Sequence, residues 1–108
     1  MTGIDLIAKE RERQLKEEDW PADHDDELIY GELSNAAAVY AMSPEYLNMN
    51  IEGGNTVFRE VWPWGIEWYK QTMGNRIRDL EKAGALIAAE IDRLLRMNGG
   101  EFNGSNLG

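Results

Sequence analysis

Six residues spaced 3, 4, 3, 4 and 3 apart constrain this chain more than anything else in it: Ile77, Leu80, Gly84, Ile87, Ile91 and Leu94. A seam alternating threes and fours lies along one side of a helix and packs against another helix. The spacing predicts a long helix over 75–97, ended by Asn98-Gly99-Gly100. Gly84, with no side chain, marks where a neighbouring backbone comes close. With 108 residues in all, the chain has room for one domain built around that helix.

Two more helices follow from the same reasoning. Over 3–18, Ile4, Ile7, Ala8 and Leu15 share a narrow apolar face, interrupted by Arg11, whose stem would lie along it. Thr2 and Asp5 have the spacing of a capping box, and Glu12 and Lys16 form a well-oriented i, i+4 pair. Pro21 ends the segment, and DWPADHDD reads as an acidic turn. A helix over 26–42, capped by Asp25 or Asp26, presents Ile29, Leu33, Ala36, Ala37 and Tyr40. Ser43-Pro44 stops it and starts a short turn of helix through Leu47.

The stretch 48–72 is less regular. NMNIEGGN is a turn, TVFREVW has the bias of a short strand, and Pro63 bars WPWGIEWY from a regular strand. The expectation is a mainly α fold: a small three- to four-helix bundle with an aromatic loop or short β-hairpin insertion. Residues 1–97 form its single helical domain and 98–108 a flexible polar tail.

Composition removes whole classes of function. With no cysteine and one histidine, His24, there is no disulfide framework, thiolate site or histidine metal cluster. His24 sits among acids that favour its charged form, a setting that suits orienting a turn better than catalysis. No apolar run is long enough to span a membrane. The N-terminus MTGIDLIAKERERQ turns charged too soon for a signal peptide, which places the product in the cytoplasm. A net charge of −9 argues against duplex nucleic acid as a partner.

That charge is uneven. Residues 1–32 hold eleven acids against four bases, a local net charge of −7. Residues 54–78 hold Arg59, Lys70, Arg76 and Arg78 against Glu60 and Glu67, a net charge of +2, together with Phe58, Trp62, Trp64, Trp68 and Tyr69. Two chemistries are open to such a chain. The tryptophans offer flat faces for nucleobases, and Arg76, Arg78 and Lys82 follow as phosphate partners near a helix start. Against this, tryptophans in a small bundle more often plug its core. The acids offer a magnesium site, for which Glu10, Glu32 and Glu90 flank the packed faces of the three helices. Asp92 points further round and is expected to pair with Arg96.

Four ordered blocks, ERERQLKEEDWPADHDD, GELSNAAAVYA, WPWGIEWYK and RIRDLEKAGALIAAEIDRLLR, resemble a small protein family common in bacteriophages and prophages. The resemblance covers about residues 3–96. More distantly, the chain is similar to the all-α nucleoside-triphosphate pyrophosphohydrolases of the MazG-like group, whose ExxE and ExxD helices hold magnesium against a triphosphate. Here Glu32 is followed three residues on by Asn35, Glu90 by Arg93, and Asp79 by Lys82.

A shared scaffold with degraded metal ligands implies binding without cleavage. The resemblance therefore implies a phage-type protein that sequesters a nucleotide signal, such as a cyclic nucleotide used in bacterial anti-phage immunity. Trp62, Trp64 and Trp68 would stack bases, Arg76, Arg78 and Lys82 would hold phosphate, and no cofactor is needed. The seam of the long helix predicts a homo-oligomer with pockets at its interfaces. The alternatives are a magnesium-dependent pyrophosphohydrolase using Glu10, Glu32 and Glu90, and an acidic protein-binding inhibitor acting through residues 17–27.

Overall fold

The computed structural model describes residues 1–17, 25–72 and 74–99. Its elements run α1 (Gly3–Glu17), α2 (Glu32–Ala41), α3 (Pro44–Leu47), β1 (Asn50–Ile51), β2 (Asn55–Thr56), α4 (Val57–Val61), a 3-10 turn (Ile66–Trp68) and α5 (Arg76–Met97). The chain is mainly helical with a small hairpin, as the sequence predicts. His24, the acids Glu18, Asp19 and Asp23, and the tail after Gly99 lie outside the described residues.

Local chemistry sets most boundaries. Thr2 N–H donates to Asp5 Oδ2 at 2.9 Å and Asp5 N–H to Thr2 Oγ1 at 3.3 Å, which closes the capping box of α1. The Asn75 side chain caps α5 by accepting from Arg78 N–H at 3.1 Å, and Gly99, at φ 76°, follows its last turn. Ser43 and Pro44 stop α2 and start α3.

Two expectations are corrected. The second helix begins at Glu32, not near Asp26. Gly31 precedes it in the left-handed region at φ 81°, and this bend leaves Ile29 58% exposed, outside the core. TVFREVW is not a strand, because Thr56 Oγ1 accepts from Arg59 N–H and caps α4. The hairpin lies earlier, pairing Asn50 with Thr56 and Ile51 with Asn55 around Gly53 and Gly54, both at positive φ.

The helix α5 is the axis of the molecule. Along one side runs α2, and small residues let the two approach: Ala36 and Ala37 on α2 share a core with Ala83, Leu86 and Ala89 on α5. Leu33, Val39, Tyr40, Leu47 and Trp62 complete that core. Against a second side of α5 lies α1. There the Ile7 side chain crosses Gly84 so closely that a Cβ on Gly84 would lie 2.5 Å from Ile7 Cδ1 and 2.6 Å from its Cγ1. The sequence assigns Gly84 to a close approach, and what approaches is a side chain.

Gly84→Ala is therefore expected to destabilise the fold by about 1–2 kcal/mol, although alanine favours a helix interior by about 1 kcal/mol. Made together with Ile7→Ala, the same substitution is expected to become stabilising. A double-mutant cycle in urea checks this, and additive effects would show that the two residues do not press on each other.

Candidate interaction surface

The stripe that defines α5 in the sequence does not face the core. Ile77 is 63% exposed, and Leu80, Ile87, Ile91 and Leu94 are between 42% and 52% exposed. The buried side of α5 carries Asp79, Ala83, Leu86, Ala89 and Arg93 instead. The helix α1 is turned the same way: Ile4 is 80% and Leu15 45% exposed, while Glu10 and Gln14 are buried. Because Ile7 belongs to the stripe of α1 and Gly84 to that of α5, the two stripes meet at that contact.

Charge pairing explains why polar residues sit inside. Arg13 holds Glu10 with two hydrogen bonds, Nε to Oε1 at 2.9 Å and Nη2 to Oε2 at 2.8 Å. Arg78, from α5, reaches the same carboxylate at 2.6 Å and also bonds Glu81 at 3.0 Å. Gln14 adds a bond at 3.3 Å. Burial alone would raise the Glu10 pKa, but the hydrogen bonds and charges of Arg13 and Arg78 outweigh it and hold the group at about 2. Arg11, which interrupts the apolar stripe of α1, turns its guanidinium to two acids. Its Nη2 stands 3.6 Å from Asp25, which is fully buried, and 3.4 Å from Asp92. This corrects the expected Asp92–Arg96 pair, since Arg96 donates to Asp26 at 2.9 Å.

The candidate magnesium ligands are not brought together. Glu10 is committed to two arginines, Glu90 accepts from Arg93 Nε at 2.5 Å, and Glu32 accepts from Tyr30 N–H at 2.6 Å. Among the described residues no group of three acids or histidines is placed to hold a metal ion.

The aromatic window is largely internal. Trp62 is buried, donates its indole N–H to the Gly65 carbonyl at 3.0 Å, and stacks on Phe58 with ring centroids 5.9 Å apart. Tyr40, Trp64 and Tyr69 meet it edge-on at 5.2–5.8 Å. Trp64 is half-buried against this cluster, and Trp68 is 63% exposed.

The three cations are engaged too. The Arg76 guanidinium donates to the carbonyls of Tyr40, Ala41 and Met42 at the end of α2. Lys82 donates to the Lys70 carbonyl and, at 2.9 Å, to Thr72 Oγ1, with its ammonium 5.6 Å from the centre of the Tyr40 ring. Burial and the charge of Arg78 push the Lys82 pKa down. Arg78 belongs to the Glu10 cluster.

A hollow of about 240 Å³ lies at the C-terminal end of α5, lined by Asp26, Ile29, Arg93, Arg96 and Met97. It is smaller than the roughly 300–1,000 Å³ of small-molecule sites. Among the described residues no helix is long and apolar enough to cross a membrane. Compared with known proteins, the chain matches no family model, no curated protein and no solved structure.

Glu10→Gln would leave Arg13 and Arg78 facing a neutral group, at an expected cost of about 3 kcal/mol at pH 7. The folded pKa lies below the unfolded value near 4.5, so the contribution is complete above about pH 4.5 and is lost as pH falls toward about 2. The urea midpoints of wild type and Glu10→Gln should therefore converge between pH 4.5 and 2. A constant gap across that range would separate Glu10 from the acid sensitivity.

Proposed function

We propose that this chain acts by association rather than by chemistry of its own, as a small helical binding protein whose working surface is the joined α1/α5 face. One observation carries the reading. The most regular apolar pattern in the sequence lies outside the core and meets the exposed stripe of a second helix at Ile7 and Gly84, while charged and small residues fill the space beneath it. An exposed apolar surface of this extent is a site of interaction in water-soluble folds. Isoleucine and leucine without hydrogen-bonding groups suit a partner that is itself an apolar helical face.

A second reading keeps the nucleotide. The Trp68 indole stands 63% exposed, two residues from Lys70, whose side chain is also exposed. The backbone between them is fixed from below, since Lys70 N–H donates to the Tyr40 hydroxyl at 2.8 Å and the Lys70 carbonyl accepts from Lys82. A flat ring and a cation on a pinned backbone form a preorganised platform for a base and its phosphate. In this reading Trp68 stacks the base, Lys70 meets the phosphate, and the ligand is held without being cleaved.

The chain has no cysteine, so Ile91→Cys and Tyr46→Cys each introduce a unique thiol. Tyr46 is 61% exposed on α3, a helix that packs against α4. In an extract of the producing cells, maleimide is expected to label the thiol at 91 at least ~10-fold more slowly than that at 46, as burial in an interface requires. Equal rates would remove the association reading. For the second reading, a nucleotide panel including cyclic dinucleotides is mixed with the protein and filtered. A nucleotide lost from the filtrate, returned intact by heating and no longer retained by Trp68→Ala supports it, whereas an unchanged filtrate rejects it.

A further inference from the structure

We infer that a second copy of this chain covers the α1/α5 face, forming a two-fold dimer. This pairing rests on the association reading above and names its partner. The distribution of isoleucine points first to it. The chain has eight isoleucines, and not one is buried: Ile7 is half-buried and the other seven are exposed. Isoleucine is among the residues most often found fully inside folded proteins. A single copy therefore leaves outside the residue type best suited to a core, and five of the eight stand on the two stripes as Ile4, Ile7, Ile77, Ile87 and Ile91.

The pattern is also complementary to itself. Spacings of 3, 4, 3, 4 and 3 keep one line of side chains facing a partner helix along the length of α5. A two-fold interface uses the same patch on both subunits. A straight stripe of isoleucine and leucine meets that requirement, because each copy offers knobs and receives them. The five exposed seam residues carry no charge or hydrogen-bonding group with which to select a foreign partner, a selection that relies on repulsive or polar elements.

The area is sufficient. The exposed parts of those five residues, with Ile4 and Leu15, amount to on the order of 700 Å², close to the roughly 800 Å² that each partner buries in a standard interface. The packing leaves room as well. One side of α5 is taken by α2 and a second by α1, and the seam forms the remaining side. Two α1/α5 pairs brought face to face would bury all of it as a four-helix layer.

Sedimentation equilibrium of the purified full chain over ~1–300 µM, a range that brackets micromolar dissociation constants, tests the pairing. Twice the 12.3 kDa chain mass is the expected result. Ile87→Asp and Leu94→Asp should each weaken the dimer at least ~100-fold, while Ile87→Leu and the control Tyr46→Asp leave it intact. Should an aspartate variant fail to fold, thermal melting of the wild type decides the matter alone: a dimer melts higher at higher concentration.

A wild type that stays monomeric at ~300 µM, a melting temperature independent of concentration, or a dimer indifferent to both aspartate variants would overturn the inference. The association reading fails separately. A monomeric pure protein whose thiol at 91 is protected in the extract has a different partner, and a thiol open in both settings ends both ideas.

Discussion

The carboxylate of Glu10 is the tie on which the arrangement of the helices depends. It sits on the inward side of α1, takes hydrogen bonds from Arg13 on its own helix, and binds Arg78 on α5. A buried charge is tolerated only when it is paired and hydrogen-bonded, and here each oxygen is. Once Glu10 points inward, the 3.6-residue period fixes everything else on α1. Ile4 and Leu15 must turn outward, and Ile7 is carried to the edge where it meets Gly84. The apolar surface is thus a geometric result of where the charges are clamped.

This inversion explains what a reading of the sequence captures and what it misses. The stripe of α5 is plain from its spacing, and so is the length of the helix. Its direction is not, because periodicity identifies a face without identifying what lies against it. The true inner contacts are alanines at 36, 37, 83 and 89, together with ion pairs that a hydrophobicity pattern scores as solvent-facing. Likewise, Arg11 reads only as an interruption in a stripe when its guanidinium, mostly covered, pairs with Asp25 and Asp92. Capping was legible wherever a single residue decides it, as at Thr2, Asn75 and Pro44. At α4 the β-branched bias of Val57 and Val61 misleads, and the Thr56 cap prevails over propensity.

The aromatic and basic window shows a different limit. Trp62 and Trp68 are alike in sequence, yet one is a core plug with its indole nitrogen satisfied and the other stands in solvent. The acceptors for Arg76 and Lys82 are backbone carbonyls some 34–36 and 12 residues away in sequence. No local pattern marks a carbonyl as awaiting a cation, so such cations look free until the fold is known. Only Tyr40, an aromatic in a helix of small residues, hints at the organising role it has as hydroxyl acceptor, ring partner and neighbour of Lys82.

The bonds from Arg76 to the carbonyls of Tyr40, Ala41 and Met42 have a topological consequence. They fasten the start of α5 to the end of α2, so everything between forms an excursion that leaves and re-enters the frame at one point. The hairpin, α4 and the aromatic loop hang from that closed mouth. The unit is also seated on the helices behind it, with Leu47 and Trp62 in their core and Lys70 N–H on the Tyr40 hydroxyl. It can also accept insertions and altered loops, since the ends it must return to are already joined. The guanidinium shares that fastening with Lys82, which binds the Lys70 carbonyl and Thr72, and with Leu47 and Trp62 in the core, so the exposed turn at Gly53 and Gly54 is the part of the excursion left to vary.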